Sequence, residues 1–253
     1  MAPRYDSDML HKPTDLLARR AFVDLVAQHV VPGSVLLDFG CGTGLDAFQY
    51  ARRGYKVLAY DNSPGMIAEL ETRCEHEIDS AQISTCSVRY PEFIDRFPWP
   101  HSPHAVVSNF AVLNMIVDLE SLFDFFARQL APPGWMILSI LNPIQRRNLR
   151  APRWWSIALQ TPSREAPVNL TEPYPSYLHF EPALLRAARR FHLVGRANAG
   201  AVVRYDSAPP SQMQQRWWRV PESNGGSFRH LLWQTPAHRI FGDFVFLVLR
   251  RDP

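Results

Sequence analysis

The strongest pattern in the chain is the run Val35-Leu36-Leu37-Asp38-Phe39, apolar at every position but Asp38 and left through Gly40-Cys41-Gly42-Thr43-Gly44. A short apolar run bounded by glycine is how a parallel strand covered on both faces reads. Glycine at every second position then gives a turn whose backbone can approach a ligand, since no Cβ intervenes. Leu45 to Arg53 has helical spacing, so the turn feeds a helix N-terminus with free N–H groups. Ahead of this unit, Thr14 to Val31 reads as a helix with Leu17, Ala18, Ala21, Phe22 and Leu25 on one face. After it, Tyr55 to Asp61 is a second strand, Pro64 to Asp79 a helix opened by proline, and Ala81 to Val88 a third strand.

The alternation continues. Pro91 to Pro103 reads as a proline-marked loop with a short turn, and His104 to Asn114 as a fourth strand running out of the sheet. Glu120 to Leu130 is a helix stopped by Pro132-Pro133-Gly134, and Trp135 to Leu141 is a fifth strand ended by Asn142-Pro143. Strands alternating with helices predict an α/β domain: a mostly parallel sheet between two helical layers. From Pro143 to Phe180 the periodicity fails under repeated prolines. Glu181 to Arg190 is then a helix and Phe191 to Tyr205 a strand region. Phe241 to Leu249 is the closing strand, its continuous apolar stretch suiting a central antiparallel member.

Composition narrows the class without choosing a function. At 253 residues, 46% hydrophobic and 20% charged, the chain is a globular protein able to bury one sizeable core. A net charge of +3 gives no argument for a nucleic-acid partner. Cys41, Cys74 and Cys86 are odd in number and lack CxxC spacing, against a disulfide framework and against a zinc site. The start lacks the apolar core of a signal peptide, and no run approaches the length of a membrane span. A reduced, cytoplasmic enzyme without stable membrane insertion is the expectation.

The glycine spacing points further. A dinucleotide fingerprint, GxGxxG, would want its third glycine where this chain has Leu45. The tighter GxGxG, with Asp38 just before it, resembles motif I of the class I S-adenosylmethionine (SAM)-dependent methyltransferases. Asp61 ends the second strand seventeen residues after Gly44, placed to accept from ribose hydroxyls. Asn62-Ser63-Pro64-Gly65-Met66 opens the next helix as "D-x-S-P-x-M" does in many of these enzymes. The "SNF-x-x-LN" run from Ser108 resembles a broad small-molecule branch, and the D/N-P-P-Y tetrapeptide of DNA and protein amine methylation is absent.

The resemblance implies a three-layer sandwich around a seven-stranded sheet in the order 3-2-1-4-5-7-6, the last strand antiparallel, over a single domain 1–253. It implies an N-terminal helical lid (1–31), a lid or substrate insertion (143–180) and a second pocket-covering insertion (206–240). SAM is the implied cofactor, with Tyr5, Asp38, Gly40, Gly42, Gly44, Asp61, Asn62 and Met66 as its contacts. The family's adenine-binding acid after the third strand is missing here, which leaves Ser87 or a backbone group for that contact. Asn109 and Phe110 border the site because ligands sit at the carboxyl ends of parallel strands. Arg19 and Arg20 either reach the cofactor carboxylate or form a solvated helix face.

On the acceptor side, Asn142 either orients a substrate or the cofactor amine or caps the next turn, Tyr177 could orient an acceptor, and His179 could take its proton. Both of the latter could equally be structural residues of an aromatic insertion. Arg146, Arg147, Arg150 and Arg153 read as a solvated face, an anion-binding lid or an interfacial helix. The expected activity is methyl transfer to an oxygen or nitrogen of a small molecule, in specialised metabolism. The alternative keeps the ligand and changes the bond broken: cyclisation of the SAM aminobutyrate arm to azetidine-2-carboxylate, releasing methylthioadenosine. A catalytically silent SAM-binding scaffold is a third class.

Overall fold

The computed structural model describes residue 6 and residues 13–143, 168–169, 176–199 and 244–251. Seven strands form one sheet: β1 (Val35–Phe39), β2 (Lys56–Tyr60), β3 (Ile83–Cys86), β4 (Ala105–Ser108), β5 (Gly134–Leu141), β6 (His192–Ala199) and β7 (Phe244–Arg251). Their order is 3-2-1-4-5-7-6, with β1 to β5 parallel and β7 antiparallel to β5 and to β6. This is the expected topology. A separate two-residue hairpin pairs Val168–Asn169 with Tyr177–Leu178.

The strands alternate between two cores, as a pleat with both faces covered demands. Leu36, Val57, Ala59, Val107, Ile137 and Phe246 face one core, packed by α1 (Pro13–His29), α2 (Leu45–Arg52) and α3 (Pro64–Arg73). Past Cys74 the short α4 (Glu75–Asp79) follows. Leu37, Phe39, Leu58, Tyr60, Val106 and Leu138 face the other core. It is covered by α5 (Tyr90–Asp95), α6 (Leu119–Gln129) and α7 (Glu181–Ala187). Among the described residues no helix is long and apolar enough to cross a membrane.

Three local expectations need correction. The start of the proline-marked stretch, Tyr90–Asp95, is helical and the rest to Pro103 is loop as expected: Pro91 sits in the first turn, where a missing N–H costs nothing, and Phe93 is fully buried. The long helix over 64–79 breaks at Cys74 (φ −110°, ψ 27°), and Glu75 and Glu77 open the first turn of the next helix. The fourth strand stops at Ser108: Phe110 and Ala111 turn to φ 53° and 62°, and Val112–Met115 is a 3₁₀ turn.

An aromatic cluster on the second face fixes the ends of β1 and β2. Tyr60 stacks on Phe93 with centroids 3.8 Å apart, and Phe39 packs on Tyr60 at 5.3 Å and edge-on to Phe126 at 5.2 Å. Such pairs add about 0.5–1.5 kcal/mol each beyond their buried area. Phe39 and Tyr60 immediately precede Gly40 and Asp61, so this packing sets where the glycine turn and the second acid begin.

Candidate cofactor crevice

The turn after β1 is welded to the end of β2. The N–H groups of Gly40 and Cys41 both donate to the Tyr60 carbonyl, at 2.8 and 2.9 Å. The next amide of the turn, that of Gly42, donates to Asp61 Oδ2 at 3.0 Å, while Asp61 Oδ1 accepts from the Ser63 N–H at 2.9 Å. Burial pushes the Asp61 carboxyl above the usual carboxylate range, and the two amides pull it back down. An ionised carboxylate has about four lone-pair sites. Two are used by these amides, which leaves Asp61 able to accept two further hydrogen bonds.

The crevice above the turn is lined by Arg19, Gly40, Gly42, Asp46, Asn109 and Phe110, among others. Asp38, Gly40, Gly42, Gly44 and Asp61 therefore come together at the carboxyl ends of β1 and β2, with Asn109 and Phe110 arriving from β4. Asn62 is exposed and Met66 half-buried at the start of α3. Ser87 lies just past β3, its hydroxyl buried without a partner. Tyr5, Arg146, Arg147, Arg150 and Arg153 and the segment 206–240 lie outside the described residues, as does most of 143–180.

The glycines of the turn differ in what they avoid. A Cβ on Gly44 (φ +81°) would stand 2.5 Å from Leu70 Cγ, whereas one on Gly42 (φ +55°) would meet nothing within 4 Å. Gly44→Ala combines left-handed strain with overpacking and is expected to cost about 2–5 kcal/mol of stability. Gly42→Ala carries only the strain, about 1–2 kcal/mol, and places a methyl beside the crevice. Thermal unfolding should thus single out Gly44→Ala. Ligand titration should single out Gly42→Ala.

Below the turn, three carboxyl-bearing or phenolic side chains share a buried space. Asp38 is 2% exposed and its Oδ2 has no partner; the Tyr50 hydroxyl is likewise buried and unpartnered. Burial first, then the Asp46 carboxylate, raise the Asp38 carboxyl well above its ordinary value, Arg19 opposing them. Arg19 is the residue whose place was least legible. Its Nη1 lies 2.7 Å from Asp46 Oδ1 and its side chain is 13% exposed, so the solvated reading fails for it. That reading holds for Arg20, exposed and 3.8 Å from Asp24.

The acceptor-side residues fare unevenly. His179 is 4% exposed, and its Nε2 donates to the Ile116 carbonyl at 2.8 Å. Burial holds its pKa below the ordinary histidine value, with the Ile116 and Leu113 carbonyls opposing. A ring so enclosed and committed is a structural histidine, which argues against its reading as general base. Tyr177 is half-buried on the hairpin, and its backbone carbonyl accepts from Asn114 Nδ2. Asn142 is 2% exposed at the end of β5. Asn114, the last residue of the SNF-x-x-LN run, also accepts the Leu141 N–H at 2.9 Å, tying the 3₁₀ turn, β5 and the hairpin together.

The residues present suit a nucleoside ligand with a cationic centre. Asp61 has acceptor capacity for two hydroxyls, Ser87 an unpartnered hydroxyl, Gly42 an uncluttered backbone, and Asp46 supplies a carboxylate at the crevice. A model of the methyltransferase domain matches residues 5–166. The chain is 31% identical over 141 residues to the demethylmenaquinone methyltransferase of Beutenbergia cavernae, covering 55% of this chain and 54% of that protein. It is 26% identical over 143 residues to the ubiquinone biosynthesis O-methyltransferase of Xanthomonas campestris pv. campestris, covering 54% and 56%. The chain thus spans about half the length of these relatives. In fold it is similar to the 1,6-didemethyltoxoflavin-N1-methyltransferase of Burkholderia thailandensis, with TM-score 0.58, 16% identity, and 99% and 85% of the two chains covered.

Proposed function

Because the chain belongs to the class I SAM-dependent methyltransferases, we propose that its crevice binds SAM and that it methylates an oxygen or nitrogen of a small-molecule acceptor, in specialised metabolism. The observation that carries this is the Asp61 carboxylate, fixed by the Gly42 and Ser63 amides with acceptor capacity left over beside the glycine turn. SAM supplies a methyl on a sulfonium, an electrophile that needs alignment more than activation.

Each residue then has a task. Asp61 accepts from the ribose hydroxyls, Ser87 offers its hydroxyl to the adenine, and Gly42 lets the ligand lie against the backbone. Asp38 supplies negative charge beneath the cationic part. Asn142 and Tyr177 orient the acceptor, and the segments 1–31, 143–180 and 206–240 exclude water from it. His179 supports the acceptor side by holding Ile116 and the hairpin together. The proton of a phenol or ammonium acceptor leaves by another group or by solvent.

The relatives that act in quinone biosynthesis make phenols and quinols the first acceptors to try, followed by aromatic amines. The purified protein is incubated with SAM alone and then with each acceptor, and the nucleoside product is identified by mass spectrometry. S-adenosylhomocysteine that forms only with an acceptor present is the expected result. Methylthioadenosine without acceptor, together with azetidine-2-carboxylate, would instead support intramolecular cyclisation. SAM binding without any product would leave a scaffold.

A further inference from the structure

The 3₁₀ turn Val112–Met115 carries an apolar face from the crevice out to solvent. Residues three apart eclipse one another in such a turn, with a rise of about 2 Å each, so Met115 stands over Val112 on the same face. Val112 lines the crevice and fills the space above Gly40, where a Cβ would stand 2.4 Å from its Cγ1. Met115 is 58% exposed and Val117, two residues on, 56%. Among the described residues the other exposed large apolar side chains are Val31, Leu193 and Val194. They lie toward the opposite end of the sheet, ahead of β1 and level with the first half of β5.

This turn cannot fold its apolar side chains away. Asn114 bonds the Tyr177 carbonyl and the Leu141 N–H, and the Ile116 carbonyl accepts from His179, so the backbone is pinned on both sides of Met115. One exposed apolar residue is ordinary. Two on a pinned turn, continuous with a crevice, mark a surface kept for a ligand. From Asn109 to Val117 the sequence has no charged residue, so this stretch offers a charged ligand no partner.

We propose that Met115 and Val117 form a subsite for an apolar extension of the acceptor, and that they select neutral acceptors bearing a hydrocarbon group remote from the methylated atom. The proposal rests on the methyl-transfer reading above and names the substrate class of that site. The oxygen or nitrogen to be methylated stays in the crevice, and the extension leaves it across Val112 to reach Met115 and Val117. Both side chains lose water as the extension does, so affinity grows with each methylene that is covered.

Calorimetry on the intact protein saturated with S-adenosylhomocysteine tests this without turnover. The probes are two pairs, 4-methylphenol with 4-butylphenol and 4-methylaniline with 4-butylaniline. A covered methylene is worth about two- to fourfold in affinity, so the butyl member of at least one pair should bind about eight- to fiftyfold more tightly. Met115→Ser combined with Val117→Ser should cut that gain below about threefold, while Leu193→Ser, at the far end of the sheet, should preserve it. A butanoate chain ending in a carboxylate, in 4-(4-hydroxyphenyl)butanoate, should show none of the gain.

Equal or undetectable affinities within both pairs overturn the proposal. So does a gain that survives the double substitution, because the chain would then lie on another surface. Sedimentation that shows the double variant dissociating a dimer, with the gain intact, assigns the two side chains to a contact between copies and overturns it as well. If the double variant fails to fold, each single variant is titrated in its place, and a gain reduced at least twofold in either supports the subsite. Wild-type protein that binds neither SAM nor S-adenosylhomocysteine removes the cofactor reading itself, an outcome separate from a protein that binds the nucleoside and ignores the chain.

Discussion

Asp61→Ala is expected to bind SAM about ten- to a hundredfold more weakly than wild type, the equivalent of one or two hydrogen bonds to a charged group. The loss has two sources. The carboxylate would no longer accept from the ribose, and the Gly42 and Ser63 amides would lose the acceptor that now holds the turn. Asp61→Asn separates them, because an amide oxygen still accepts from one N–H while its NH₂ cannot accept at all. Asn should recover stability more fully than affinity. Equal affinity for all three proteins by calorimetry would show that the ribose is bound elsewhere.

Asp38→Asn should move stability and binding in opposite directions. Burial and the Asp46 charge raise the Asp38 carboxyl well above its ordinary value. A carboxyl with a raised folded pKa favours folding fully only below the unfolded value, near pH 4, and loses that contribution as pH rises through the folded pKa. The wild type therefore carries a cost at this buried carboxyl that grows as pH rises above about 4. The neutral amide removes that cost and should raise the melting temperature by ~3 °C per kcal/mol recovered, with a flatter dependence on pH above 4. SAM affinity should fall on the order of tenfold, as a nearby negative charge is lost. A lowered melting temperature at pH 8 would contradict this account of Asp38.

The sheet was legible because β1, β2, β4 and β7 are apolar enough to be covered on both faces, and the glycine turn and Asp61 sit at strand ends where their spacing can be counted. The elements misread were those where a residue has two common uses. Pro91 reads as a breaker yet starts α5, and nothing in Phe110-Ala111 announces left-handed backbone, since neither is glycine, asparagine or aspartate. Within the site, Asp46 left a faint signal, an acid in the first turn after the glycines. Arg19 was a candidate with two readings and Asn114 only the end of a motif: which contacts they make depends on helices and strands that meet only in the folded chain. His179 carried a chemical and a structural reading by its type, and only the fold shows its ring nitrogen committed to a backbone carbonyl.

The rings of Phe39, Tyr60 and Phe93 lie on the face of the sheet away from the α1 and α2 layer, and yet they fix the interval between the glycine turn and Asp61. That interval works as a ruler cut to the length of one nucleoside. Selection for a different acceptor can leave the ruler alone. Selection for a different nucleoside would have to recut it, starting from side chains that never meet the ligand.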